Sequence, residues 1–232
     1  MKDLFGKAIL DFQTNISPED LITETSISEA DEMSVAYLFR SYNEMPKIEQ
    51  KALELAKGKI LDVGCGAGSH SLCLQNDRNL DVTSIDISPN AIKACQLRGL
   101  KKTRVENVLS LQNEKFDTIL LLMNGTGIFE TLNKTPQFLQ QLKNLLHTNG
   151  QILIDSSDII YMYDEEDLKF VSENNYYGEL TFTISYKNEI EEPFPWLYLD
   201  YVTLKNIAFA NGLQCEFILE GEHFDYLARL WV

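Results

Sequence analysis

Glycine occupies positions 64, 66 and 68, directly after the run Ile60-Leu61-Asp62-Val63 and before Ser69 and His70. An apolar run that breaks into alternating glycines is what a buried strand needs to turn sharply into a helix over a ligand. Without a Cβ the backbone can take unusual angles and let the ligand lie against the main chain. Ser69 is suited to cap the helix that follows. A second acid, Asp86, falls at the end of the next predicted strand, where a carboxylate can accept hydrogen bonds from both hydroxyls of a ribose. Dinucleotide and adenosyl cofactors both use such turns. The spacing here is GxGxG, and it lacks the later glycine with which a GxGxxG turn brings helix amides close to a pyrophosphate.

The elements that must hold these residues alternate. Strands are expected at 59–63, 81–85, 103–106, 116–123 and 151–154, and helices at 69–75, at 89–98 capped by Ser88, and at 135–147 stopped by Asn149-Gly150. Such βαβ alternation predicts a doubly wound α/β fold with a mainly parallel sheet, whose ligands sit at the carboxyl ends of the strands. Residues 200–210, ended by Asn211-Gly212, read as a last helix, and 215–219 with 226–231 as a terminal antiparallel hairpin.

Two stretches depart from the alternation. Residues 1–57 read as an N-terminal helical cap. It has a helical spacing at Leu4, Ala8 and Phe12, a helix start at Ser17-Pro18-Glu19, and a helix with Ile48, Ala52, Leu55 and Ala56 on one face before Lys57-Gly58. Residues 156–199 read as an insertion with an acidic stretch at 164–167, a strand at 180–186 and a turn at Glu192-Pro193-Phe194-Pro195-Trp196. The expected organisation is one domain over 1–232, with a core of 58–155 and 200–232.

Composition narrows the class of function. The 232 residues are 44% hydrophobic, enough for one sizeable core, and carry a formal charge of −15. That charge argues against wrapping a polyanion. The nearest basic group, Arg98, Lys101, Lys102 and Arg104, reads as a solvated face. Cys65, Cys73, Cys95 and Cys215 form neither a CxxC pair nor a metal-like cluster with the three histidines, so reduced thiols and no metal are expected. With no basic, apolar leader and no apolar run of about 20 residues, the reading is a cytoplasmic protein.

The motifs Leu61-Asp62-Val63-Gly64-Cys65-Gly66-Ala67-Gly68, Asp86-Ile87-Ser88 and Phe116-Asp117-Thr118-Ile119-Leu120, with the terminal hairpin, resemble the class I S-adenosylmethionine-dependent methyltransferases. The resemblance implies a seven-stranded sheet of order 3-2-1-4-5-7-6 with strand 7 antiparallel, and S-adenosyl-L-methionine as cofactor. It implies that Gly64, Cys65, Gly66 and Gly68 pack against the methionine and ribose portion, that Asp62 orients this loop and the amino group, and that Asp86 holds the ribose. Ile87, Asn107 and Val108 become adenine contacts. Asn107 stands where the family commonly has an acid, so charge assistance to the adenine amino group is lost. Arg40 is placed as some members place an arginine for the methionine carboxylate; as a residue of the cap it also reads as a surface arginine.

The methyl acceptor would be read at the end of the fourth strand, Met123-Asn124-Gly125-Thr126-Gly127, where Met123 and Asn124 are also expected to contact the cofactor. The Asn/Asp-Pro-Pro-aromatic sequence that modifies exocyclic amines of bases or glutamine amides is absent there. Methyl transfer to oxygen, nitrogen or sulfur needs mainly in-line positioning. No catalytic residue is therefore assigned; His70, Asn124 and His223 are candidates, and aromatics such as Tyr37, Tyr161, Tyr163, Phe194 and Trp196 are candidates to enclose an acceptor. A small-molecule acceptor is the leading expectation. The alternatives are a protein or RNA methyltransferase, a non-catalytic cofactor-binding sensor or partner subunit and, most distantly, an NAD-dependent dehydrogenase.

Overall fold

The computed structural model describes residues 2–166 and 176–232. Its main sheet holds β3 (Lys59–Val63), β4 (Asp81–Asp86), β5 (Thr103–Val105), β6 (Phe116–Leu121), β7 (Leu146–Ser157), β11 (Gln214–Glu220) and β12 (Asp225–Trp231). The spatial order is β5-β4-β3-β6-β7-β12-β11. β3, β4, β5, β6 and β7 pair in parallel, and β12 runs antiparallel to both β7 and β11. Counting only these seven strands, this is the expected order 3-2-1-4-5-7-6.

The central strands are apolar on both faces because helices cover both. One face carries Leu61, Ile119, Leu121 and Ile154 against Phe138, Leu139 and Leu142 of α5 (Thr135–Asn144) and Leu204 and Ala208 of α6 (Tyr201–Ala210). The other carries Ile60, Leu120, Leu122 and Leu153 against Ile48, Ala52 and Leu53 of α2 (Lys47–Leu55). This strict alternation of neighbouring residues between two cores is the strand periodicity at work. α3 (Ser69–Leu72) runs on as a π-turn at Cys73–Asp77, and α4 (Pro89–Leu97) is capped by Ser88, whose Oγ accepts from Ala91 N. Asp200 caps α6 in the same way through Thr203 N.

A second, antiparallel sheet joins the two irregular stretches. β1 (Leu21–Thr25) and β2 (Ser28–Met33) form a hairpin that pairs with β8 (Glu179–Tyr186), and β8 pairs in turn with β9 (Glu189–Ile190) and β10 (Phe194–Leu197). The expected helical cap is thus helical only at α1 (Leu4–Thr14), at short 3-10 turns and at α2, and Ser17-Pro18-Glu19 does not start a helix. Instead the chain extends into β1, because Ile22 and Thr25 find partners at Ser185 and Phe182, a long-range pairing that overrides the local signal. The expected turn at 192–196 is also corrected. Phe194–Leu197 is an edge strand, the place where a missing Pro195 N–H is tolerated.

A third correction concerns 135–147. α5 ends at Asn144, and His147 already lies in β7; Asn149, with φ 65°, and Gly150 sit in a register shift where Leu146 faces Phe116 and Gln151 faces Thr118. The Asn-Gly pair marks a bulge and not a helix end. Of the acidic stretch 164–167, Asp167 lies outside the described residues. Among those residues, no helix is long and apolar enough to cross a membrane.

Candidate functional site

β3 delivers the chain to Gly64, where Gly64 N and Cys65 N both donate to Ile85 O at 2.9 and 3.1 Å, anchoring the turn to β4. Gly64, Gly66 and Gly68 have φ of 71°, 52° and 81°, the left-handed region that costs glycine least. Their surroundings differ. A Cβ on Gly64 or Gly66 would meet nothing within 4 Å, whereas one on Gly68 would meet Leu100 at 2.7 Å and the Cys95 sulfur at 2.9 Å. Gly68 is a packing glycine against α4; Gly64 and Gly66 bound open space. Gly68, and not Ser69, is the residue that caps α3; the Ser69 hydroxyl donates to Leu38 O at 2.7 Å.

Asp86 faces the same space. One of its oxygens accepts from Gly66 N and the other from Ser88 N, each at 2.9 Å, and burial pushes its carboxyl above the ordinary range against the pull of these amides. Each oxygen retains acceptor capacity. Ile87 beside it is 58% exposed, an apolar side chain left open next to a carboxylate, while Val108 is buried in the core. Asn107 also has a local role. Its Oδ1 accepts from Leu109 N at 2.9 Å, capping the turn Val108–Ser110, so the amide oxygen is already engaged.

Asp62 is buried and accepts from the Ser71 hydroxyl at 2.6 Å, and Ser71 Oγ lies 2.7 Å from Ser84 Oγ. Burial raises its carboxyl. Arg40 is no surface residue of the cap. It is buried, pairs through Nη2 with both oxygens of Glu49, donates from Nη1 to Tyr37 O at 2.6 Å, and keeps a buried Nε without a partner among the described residues. Glu49 also binds His70 Nε2 at 2.6 Å. Burial alone would raise the Glu49 carboxyl, but His70 and Arg40 outweigh it and hold it below the ordinary range. The second ring nitrogen of His70 has no hydrogen-bond partner among the described residues.

Beyond β6 the backbone of Met123 and Asn124 is left-handed, φ 65° and 56°, unusual for two successive non-glycine residues. The compensation is Asp155, whose oxygens accept from Met123 N at 3.0 Å and Gly125 N at 2.8 Å, an amide nest closed by a carboxylate. Burial pushes the Asp155 carboxyl up to about 7 despite these bonds. Asn124 is engaged at both ends. Its Oδ1 accepts from Ser156 Oγ at 2.9 Å and Thr126 Oγ1 at 3.2 Å, and its Nδ2 donates to Leu197 O at 3.3 Å. Ser156 Oγ also accepts from Leu199 N at 2.9 Å, and the Trp196 ring packs on Gly127. Asn124 thereby ties β6 to β7 and to the returning end of the insertion.

His223 lies in the exposed β11–β12 loop, and its backbone N–H donates to Asp225. Phe224 in that loop stacks on Tyr161 at 4.5 Å, both more than half exposed, beside a cavity of about 230 Å³ whose lining includes Asp158, Phe217 and Glu220. Phe194 and Trp196 stand in β10 against Phe182. The four cysteines are buried free thiols, Cys65 and Cys95 with their sulfurs 3.8 Å apart.

Sequence reasoning missed Glu49 and Asp155. Asp155 carried a usable signal, since an acid closing an apolar strand is the pattern that singled out Asp86. Glu49 carried none, because a Glu in the first turn of a helix reads as an ordinary dipole partner.

The seven-stranded order, the antiparallel β12 and the open glycine turn facing a strand-end acid together define the class I S-adenosylmethionine-dependent methyltransferase superfamily. Residues 55–197, more than half of the chain, match the family described as Methyltransferase domain, and the chain belongs to that family. A solved S-adenosylmethionine-dependent methyltransferase from Bacteroides fragilis, in complex with S-adenosyl-L-homocysteine, is 44% identical and superposes with a TM-score of 0.91, covering 100% of this chain and 95% of that one. Partial similarity reaches two further enzymes. The ubiquinone biosynthesis O-methyltransferase of Xanthomonas oryzae is 29% identical over 36% of this chain and 47% of that protein, and the ribosomal RNA small subunit methyltransferase C of Pseudoalteromonas atlantica is 32% identical over 51% and 36%. This chain spans less than half the length of either of those two.

Proposed function

We propose that this chain transfers the methyl group of S-adenosyl-L-methionine to an oxygen, nitrogen or sulfur atom of a small molecule. The observation that carries the reading is the open space at Gly64 and Gly66 facing Asp86, a cradle that a Cβ would fill. The residues present fit the cofactor. Asp86 has acceptor capacity for ribose hydroxyls, Ile87 offers an uncovered apolar face to the adenine, and the partnerless Nε of Arg40 offers a donor to the methionine carboxylate. Gly64, Cys65 and Gly66 line the loop, Asp62 stands behind it, and Met123 packs between the loop and α1. At 107–108 the Asn107 oxygen accepts one bond in the cap and keeps a second lone pair for the adenine amino group, without charge assistance.

Once bound, the cofactor supplies an electrophilic methyl group on a sulfonium. The protein's part is to hold the acceptor in line with it and to exclude water, since effective concentration provides much of the acceleration. The acceptor side is assigned to 1–57 and 156–199, and the second sheet joins the hairpin 21–33 to the strands within 179–197. His70, oriented by Glu49 with one nitrogen open, is the candidate to take up a proton. Asn124 positions the turn and does not touch the acceptor through its carboxamide.

The formal charge of −15 supports a small acceptor over RNA. The experiment is incubation with methyl-labelled cofactor and, separately, metabolite extract, RNA and denatured protein. Label in the metabolite fraction is expected; label in RNA or protein would replace the proposal. Binding of S-adenosyl-L-methionine and S-adenosyl-L-homocysteine but not NAD is expected by calorimetry.

A further inference from the structure

Asp3 stands where it would cap α1, yet its side chain serves another helix. It precedes Leu4–Thr14 with φ 59°, in the left-handed region, and makes no side-chain bond to its own helix. The first amide of α1 is taken instead by Glu191, the buried residue that follows β9. Leu4 N donates to its Oε2 at 2.9 Å, and Lys2 N donates to its Oε1. That leaves the Asp3 carboxylate for the start of α4. Its Oδ2 accepts from Ser88 Oγ and Asn90 Nδ2, each at 2.9 Å, and from Asn90 N at 3.3 Å. The two helices meet there without spare room, since a Cβ on Gly6 would collide with Ser88 Oγ and with the Asp3 carboxylate.

We infer that Asp3 is a positioning residue for Asp86, the acid assigned to the ribose, and that it acts through Ser88. The inference rests on the cofactor reading above. Ser88 has one hydroxyl proton, which it donates to Asp3, while its oxygen accepts from Ala91 N at 2.9 Å and its own amide donates to Asp86 Oδ1 at 2.9 Å. Asp86 is held by two amides, those of Ser88 and Gly66. One anchor therefore belongs to the glycine cradle, and the other is steadied by the segment that opens α1. An acid that meets two neighbouring hydroxyls must present its oxygens in a fixed plane, because a hydrogen bond weakens steeply away from its preferred angle. Glu191 lies in the insertion 156–199. The contacts Glu191 to Leu4, Asp3 to Ser88 and Ser88 to Asp86 thus run from the second sheet to the ribose side of the cradle.

The test is the affinity for S-adenosyl-L-homocysteine, measured by calorimetry on the full chain. Asp3→Ala should weaken binding about three- to tenfold, the worth of a lost hydrogen bond. Asp3→Asn, which keeps an acceptor oxygen in the same place, should bind within about twofold of the wild type. In Asp86→Ala, adding Asp3→Ala should cost less than about twofold more, because no acid is left to position. A role confined to folding would weaken binding by the same factor with and without Asp86. That result, or an unchanged affinity in Asp3→Ala, overturns the inference. Should Asp3→Ala not fold, the same cycle is read with Gly6→Ala, which forces Ser88 Oγ aside and leaves Asp3 in the chain. Where Asp86→Ala binds too weakly to measure, the probe is the 2′,3′-dideoxy form of S-adenosyl-L-homocysteine. The wild type should prefer the hydroxylated ligand, and Asp3→Ala should shrink that preference about threefold or more; an unchanged preference overturns the inference. If the wild type does not bind S-adenosyl-L-homocysteine, it is the cofactor reading that fails. If it binds and Asp86→Ala weakens binding while Asp3→Ala does not, only this inference fails.

Discussion

The two ends of the site are held by different means. The glycine cradle is a local structure: Gly64 and Cys65 hang on Ile85, Gly66 on Asp86, and every partner lies within one βαβ unit. The turn at 123–127 is held from afar, by Asp155 and Ser156 of β7 and by the carbonyl of Leu197 at the far end of the insertion. A cradle made of short-range backbone bonds is preset for its ligand, while a turn tied to the insertion can be re-aimed whenever that insertion changes. This is a physical route by which one cofactor site serves many acceptors.

The buried Glu49 tests how far these two halves depend on a shared floor. Glu49→Ala leaves Arg40 and His70 without their carboxylate, and removal of one partner from a buried ionic group costs about 3 to 5 kcal/mol of stability. Denaturant titration should show that loss; a change within about 0.5 kcal/mol would mean that water reaches the floor and the halves stand separately.

Asp86→Ala and Asn124→Ala sharpen the contrast between preset cradle and tied turn. The first should weaken S-adenosyl-L-homocysteine binding by about 1.5 to 3 kcal/mol, the range for hydrogen bonds to a charged group, with little change in melting temperature. The second should cost about 1 to 2 kcal/mol of stability through the lost network and change cofactor affinity less. If Asn124→Ala instead abolishes cofactor binding at unchanged stability, the turn belongs to the cradle.

The smallest effect is the dependence of stability on pH. Asp155 is raised to about 7 in the folded chain, above the ordinary carboxylate value near 4, so the folded state binds the extra proton between them. Its contribution is fully present below about pH 4 and is lost as pH rises toward 7, by at most about 1.4 kcal/mol per pH unit. Glu49 has the opposite sign, stabilising above its ordinary value and losing that support as pH falls through its lowered one. Melting temperature should decline from pH 5 to pH 7 in the wild type, and the decline should be shallower in Asp155→Asn.

Much of the cradle was legible in the sequence. Glycine spacing, the apolar run before it and Asp86 at the next strand end are local patterns, and each took the predicted place in the fold: a buried strand, a left-handed turn and a strand end. The helix starting after Ser88 was legible for the same reason, since a cap is a bond to an amide three residues away. The misreadings share the reverse property. Ser17-Pro18-Glu19, Glu192 to Trp196 and Asn149-Gly150 are locally plausible stops and starts that pairing partners far along the chain overrode.

The amino-acid sequence by itself thus determined the α/β alternation and the motifs that carry the family resemblance, and with that resemblance the order of the main sheet, because these follow from periodicity and from residues close in the chain. Only the tertiary structure decided that Arg40 and His70 are buried on Glu49, that Asn107 and Asn124 bond to neighbouring turns, and that Asp155 accepts from the amides of Met123 and Gly125 and forms no ion pair among the described residues. The reason is that hydrogen-bond capacity and uncompensated charge are properties of what surrounds a side chain, and those surroundings are assembled from segments that no local pattern connects.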